Sequence, residues 1–155
     1  MDTPETIYSV SGLTLDELNY GQNLVALAVY GSRANGNWTQ ASDIDLLIVL
    51  TNCSPTKSRE YSLMPVLDEC ELTINKQINH RIVTPAEFMR SHSLCFEIAL
   101  NHFALIDKSG LLTTAKKIVI GLIKDKLILR KESKGLPYWV IEDEKTAGIR
   151  LSTPC

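Results

Sequence analysis

The sequence predicts an α/β (α+β) fold: a small mixed β-sheet with helices packed mainly on one face. Three observations lead there. Two continuous apolar runs, LVALAVY at 24–30 and IDLLIVL at 44–50, are each bounded by polar, turn-forming residues, which suits strands buried on both faces. A third segment, TINKQINHRIV at 73–83, is rich in β-branched residues and stops at Thr84-Pro85. The stretches between and beyond carry apolar residues at helical spacing, and strands interleaved with helices imply a helical layer over a sheet.

The elements follow in chain order. Ser11-Gly12 closes a short polar arm, and residues 14–22 suit a short helix with Thr14 as N-cap and Glu17 completing a capping box. The first strand, 24–30, stops at Gly31-Ser32; ANGNWTQAS (34–42) is too polar for core and reads as a loop, with room for a short helix starting at Arg33-Ala34-Asn35. After the second strand TNCSPTKS breaks the chain, and residues 56–69 look helical. Pro65 is expected to kink or split that helix, because it lacks an N–H and its ring crowds the preceding turn. Pro85 fits the first helical position with Thr84 as cap. AEFMRSHSLCFEIALNHF (86–103) reads as helix in two pieces, and ALI (104–106) as a short strand. LLTTAKKIVIGLIKDKLILR (111–130) has apolar residues at helical spacing with lysines opposite. Gly135-Leu136-Pro137 marks a break, YWVIE suits an edge strand, and the last dozen residues read as a tail.

Composition narrows the function. With 155 residues, 45% hydrophobic and 22% charged, the chain has enough length for one domain with a real core. A net charge of −2 and a pI near 5.9 give no global basic footprint, so nucleic-acid binding is not indicated. MDTPETIYSV lacks the basic head and apolar centre of a signal peptide. No apolar run reaches the roughly 18 residues of a membrane span, so no membrane partner is expected. Cys53, Cys70, Cys95 and Cys155 lack the paired spacing of a zinc site or disulfide framework, and a reduced, cytoplasmic setting is the expectation.

The chemistry concentrates at Gly31-Ser32 and Asp43-Ile-Asp45. Residues two apart on a strand share a face, so Asp43 and Asp45 present their carboxylates side by side while Ile44 and Leu46 turn to the other face. Adjacent carboxylates repel by about 1–4 kcal/mol, depending on screening, and a cation between them relieves that cost. Hard oxygen ligands suit Mg²⁺ or Mn²⁺, which commonly also bind substrate phosphates. Gly31-Ser32 directly follows a buried strand, where a helix N-terminus favours phosphate. Gly31 lets a phosphate approach the backbone, Ser32 adds a hydroxyl donor, and Arg33 either adds charge or points to solvent. Trp38 is read as a loop anchor in preference to a base-stacking platform. A phosphate cradle beside metal-binding carboxylates is the equipment of phosphoryl or nucleotidyl transfer.

Gly31-Ser32, ten residues, then Asp43-Ile-Asp45 resembles the signature of the polymerase-beta nucleotidyltransferase superfamily. YGSRANG…SDIDLLIVL looks most like its minimal nucleotidyltransferase (MNT) domains, and the resemblance extends over roughly residues 24–107. It implies a nucleotidyltransferase fold organised as an arm at 1–13, a catalytic domain at 14–107 and a C-terminal helix, short strand and tail at 108–155. It also implies that Asp43 and Asp45 hold the metal and are catalytic, and that Gly31, Ser32 and Arg33 bind the nucleotide phosphates. The superfamily carries a third acid a few residues before the Thr-Pro that ends the later strand. Here that slot falls on Asn79, with His80 adjacent; Glu71 is acidic but lies earlier and needs a different strand register. The implied activity is Mg²⁺-dependent transfer of NMP, AMP by preference, from an NTP to a hydroxyl of a protein or small molecule, weakened by the absent third carboxylate. The alternative is a catalytically degenerate nucleotide-binding module, or an MNT antitoxin that neutralises a helical HEPN-type partner. Homo-oligomerisation is left open.

Overall fold

The computed structural model describes residues 23–51 and 56–152. The expected arm, the helix at 14–22 with Thr14 and Glu17, and Cys53 and Cys155 lie outside the described residues. The chain runs β1 (Leu24–Tyr30), α1 (Ser32–Asn35), β2 (Ile44–Leu50), α2 (Thr56–Ile74), β3 (Ile78–Val83), α3 (Pro85–Arg90), α4 (His92–Leu100), β4 (Phe103–Asp107), α5 (Leu111–Lys124), β5 (Ile128–Ser133), β6 (Leu136–Ile141) and α6 (Glu144–Ser152). No helix among the described residues is long and apolar enough to cross a membrane.

The main sheet has the order β3-β2-β1-β4. The short hop from β1 to β2 leaves them antiparallel, and β1 is antiparallel to β4 as well. β2 and β3 are parallel, which requires a long crossover, and α2 supplies it. The two apolar runs form the central strands, as their unbroken hydrophobicity requires. Leu27, Val29, Leu46 and Ile48 face α2 through Leu63, Val66, Leu67, Cys70 and Ile74. On the other face Ala26, Ala28, Leu47 and Val49 meet α3, α4, α5 and α6 in one cluster. The helices thus lie mainly on one face, with α2 alone on the other.

Several boundaries differ from expectation. α2 is not split: it continues through Pro65 and on to Ile74. Cys70 and Ile74 extend the buried stripe begun by Leu63, Val66 and Leu67, so burial overrides the strand-like composition of that segment. Asn75, at a left-handed φ of 53°, ends the helix, and β3 starts only at Ile78. The 111–130 stretch is not all helix. α5 closes at Lys124, Lys126 turns at φ 58°, and residues from Ile128 become β5. β6 contains YWVI but pairs with β5 in a separate two-stranded sheet. Lys134 and Gly135, both at positive φ, form the two-residue turn between Ser133 and Leu136. The expected tail is α6. Asp143 accepts from the Thr146 backbone at 3.0 Å and its hydroxyl at 2.8 Å, and Ala147 and Leu151 are buried. Thr84 and Pro85 do cap and open α3, in a full capping box with Glu87.

Candidate active site

β1 ends at Tyr30, and the chain turns at Gly31 with φ 72° and ψ −146°, a region that only glycine adopts at low cost. Space imposes the same identity: a Cβ on Gly31 would fall inside contact distance of Asp45 Oδ2. The backbone corner and the Asp45 carboxylate are therefore directly apposed. Ser32 opens α1 immediately after it, and the Gly31 carbonyl accepts from the Ala34 and Asn35 backbones at 3.1 Å each.

Arg33 is buried, at 7% exposure. Its guanidinium donates to the Ser42 carbonyl at 2.8 Å and the Asp43 carbonyl at 3.3 Å. Trp38 covers it, with the ring centroid 4.7 Å from Cζ, in a cation–π contact. Arg33 neither points to solvent nor spreads into open space. It ties the polar loop to the entry of β2 and so fixes the backbone of Asp43, while Trp38 anchors the loop.

Asn79 brings the carboxylates to one place. It stands beside Asp45 in the parallel register of β2 and β3, and its Nδ2 lies 3.4 Å from Asp43 Oδ2 and 3.3 Å from Asp45 Oδ1. The slot inferred for a third acid is thus occupied by a neutral amide that donates to both aspartates. The other two third-position candidates lie elsewhere. Ile78 and Ile82 sit in the α2-side core, so alternation turns His80 to that face, away from Asn79. Glu71 accepts the Ile78 N–H at 2.7 Å. That N–H belongs to the peptide whose carbonyl, on Gln77, bonds Ile44 of β2, so it points to the open edge of the sheet and Glu71 sits there.

Two residues of this face were not singled out from sequence. Tyr30 pairs with Asp45 across β1 and β2, and the Arg81 guanidinium lies close enough to act electrostatically on its hydroxyl. Burial pushes the Tyr30 hydroxyl above its ordinary range, the Asp45 carboxylate adds to the rise, and Arg81 opposes it. The signal for Arg81 was its place two residues after Asn79, which puts it on the same face; for Tyr30, only the β1–β2 register reveals the proximity.

The donor set is hard oxygen, the two carboxylates beside a corner that lacks a Cβ; Asn79 turns its Nδ2 donor to them and adds no oxygen ligand. The set fits one divalent cation of the Mg²⁺ type. Among the described residues no three acidic, histidine or cysteine side chains group as a metal site.

The sequence profile of the family described as polymerase beta, nucleotidyltransferase matches residues 15–109. The chain belongs to this family. The described structure is similar in fold to a toxin–antitoxin crystal structure with AMP-PNP, at 14% identity and a TM-score of 0.54, over 80% of this chain and 89% of the other. It is also similar to a re-refined tri-AMPylated Shewanella oneidensis HEPN toxin in complex with MNT antitoxin, at 12% identity and a TM-score of 0.50, over 80% and 89%. The MntA–HepT toxin–antitoxin structure gives the same values. At such identities the likeness is one of fold. Comparison with curated protein sequences gives no match.

Proposed function

We propose that this nucleotidyltransferase-family protein binds ATP with one Mg²⁺ or Mn²⁺ and transfers AMP slowly to a hydroxyl of a HEPN-type partner protein in the cytoplasm. The observation that carries the proposal is the convergence of Asp43 and Asp45 on Asn79 Nδ2 beside the Gly31 corner. Asp43 and Asp45 would hold the cation, which neutralises phosphate charge and makes the phosphorus more electrophilic. The Gly31 backbone and Ser32 hydroxyl hold the outgoing phosphates, and Arg33 keeps Asp43 in place. The acceptor hydroxyl attacks the α-phosphorus, the bond to the pyrophosphate oxygen breaks, pyrophosphate leaves, and the hydroxyl proton passes to solvent. Asn79 carries no charge and takes no proton, so the attacking hydroxyl lacks a base. General-base assistance is typically worth about 10²–10⁴-fold, and slow transfer follows. AMP and a HEPN-type acceptor are favoured because the neighbours include a structure with AMP-PNP and one with a tri-AMPylated HEPN toxin.

The neutral Asn79 also favours a second reading, an antitoxin that binds nucleotide but neutralises its partner by contact alone. Intact-mass measurement of a HEPN-type partner incubated with the protein, ATP and Mg²⁺ separates the two. Slow AMP addition that Asn79→Asp accelerates by about 10²-fold or more supports transfer. Nucleotide binding with no AMP added by either form supports contact. Rapid wild-type transfer that Asn79→Asp leaves unchanged overturns the account of the third position.

A further inference from the structure

The sheet face that carries Asp43 and Asp45 also holds a cation with no part in the scheme above. Arg81 stands beside Leu47 on β2, one step along the face from the Asp45–Asn79 pair. Tyr30 stands beside Asp45 on the opposite flank of β2. Two strands on, β1 and β3 are about 9–10 Å apart, and from these flanking positions the Arg81 and Tyr30 side chains come near each other on this face of β2. Leu47 belongs to the buried cluster under α3, α4 and α5, and Tyr30 packs against that cluster. Tyr30 therefore stands where the apolar core borders the carboxylates, with Arg81 near it. Tyr30 is half-buried and Arg81 is exposed. A guanidinium has five N–H donors in a fixed fork, and one phenolic oxygen does not saturate them. The fork suits a phosphate oxygen pair. The nearby charge also changes: two carboxylates with Arg81 make a site of net −1, which one divalent cation over-compensates, so the balance favours an anionic ligand.

We propose, on the reading that this cleft binds a nucleotide, that Arg81 is a phosphate-binding residue of the site. Oriented by Tyr30, its guanidinium contacts a phosphate oxygen of the nucleoside triphosphate and stands in for the second cation that the neutral Asn79 cannot help to hold. The site then binds nucleotide with one divalent ion and one arginine.

The test measures AMP-PNP affinity by calorimetry with Mg²⁺, and bound Mn²⁺ per chain by spin resonance with AMP-PNP present, on the full chain. Thermal unfolding of each variant confirms that it is folded. Wild type should bind AMP-PNP with one Mn²⁺. Arg81→Gln should weaken AMP-PNP at least tenfold, Arg81→Lys should recover part of that loss, and Tyr30→Phe should weaken binding two- to fivefold by releasing the guanidinium. Wild-type affinity in Arg81→Gln, no recovery in Arg81→Lys, or two Mn²⁺ in the wild type overturns the role of Arg81 and leaves the nucleotide reading standing. A wild type that binds no AMP-PNP, indistinguishable from the Asp43→Asn, Asp45→Asn double variant, overturns the nucleotide reading and the role of Arg81 with it.

Discussion

Gly31 is constrained twice, by a positive φ and by the Asp45 carboxylate lying where a side chain would begin. Gly31→Ala should therefore strain the backbone by about 1–3 kcal/mol and push Asp45 out of place. The expected result is a lower urea midpoint together with loss of Mg²⁺-dependent nucleotide binding in calorimetry; unchanged binding would show that the corner does not shape the site. Asp43 and Asp45 are constrained in the opposite sense, since their half-buried carboxylates repel each other. The Asp43→Asn, Asp45→Asn double variant should unfold at the same or a higher urea concentration than wild type while losing MgATP binding. Normal MgATP binding by that variant would remove both residues from the site.

At the level of elements, α2 and α3 approach each other around the end of β3. The buried Arg59 of α2 donates to the Ile82 carbonyl at 3.3 Å and pairs with Glu87 of α3 at 2.6 Å and 3.1 Å. Glu87 also accepts the Thr84 N–H at 2.9 Å. The Arg59 hydrogen bond, helped by Thr84, lowers the Glu87 carboxyl from 4.5 to about 2. A carboxyl whose folded pKa is depressed stabilises the fold above its unfolded value and loses that contribution as pH falls through the folded one. The contribution is therefore whole above about 4.5 and gone near 2. Glu87→Gln should cost about 1–2 kcal/mol at neutral pH, kept small because the side chain is 37% exposed and solvent screens the pair. The gap between wild type and variant, followed by chemical denaturation, should close as the pH drops from 5 toward 2. A gap that stayed constant over that range would mean that the pair contributes through packing and not through charge.

At the scale of the whole molecule, the C-terminal third is part of the core that backs the site. Leu111, Leu112, Ala115, Val119 and Leu122 of α5 share a cluster with Leu47 and Val49 of β2, and so do Ala147 and Leu151 of α6. Asp107 holds the head of α5 through the Leu112 and Thr113 backbones at 3.1 Å and 3.2 Å, and Asp125 holds α6 through Arg150 at 2.6 Å. The β5–β6 hairpin is pinned to α4 by Glu97, which accepts from Arg130 at 3.0 Å and Trp139 at 2.9 Å. Trp139 also meets Phe96 edge to face, with centroids 5.3 Å apart. Leu151→Ala should destabilise the fold by about 2–4 kcal/mol, measured by urea unfolding with a single transition. A loss below about 0.5 kcal/mol would show that α6 folds back only loosely and is not part of the unit that supports β2.

The sequence by itself determined the strands of the central sheet, the Gly31-Ser32 corner, the Asp43/Asp45 pair, the Asn79 slot and the Thr84-Pro85 cap. All but the Asn79 slot are written in local terms: an unbroken apolar run, a residue pair at strand spacing, or a proline behind a capping threonine; the Asn79 slot comes from the family resemblance, counted back from Thr84-Pro85. It did not determine where α2 ends, because Cys70 and Ile74 become helical only once a sheet lies beneath them. Nor did it determine α6, or that the YWVIE strand pairs with β5, since Ala147 and Leu151 carry little periodic signal and Trp139 is placed by Glu97, forty-two positions away. Tertiary structure alone decided which way Arg33, His80 and Glu71 point. It also decided that Arg81 and Tyr30, fifty-one positions apart, meet beside Asp45. The reason is register: a strand's own residues fix which side chains share a face, but only pairing with its neighbours fixes which of them stand together.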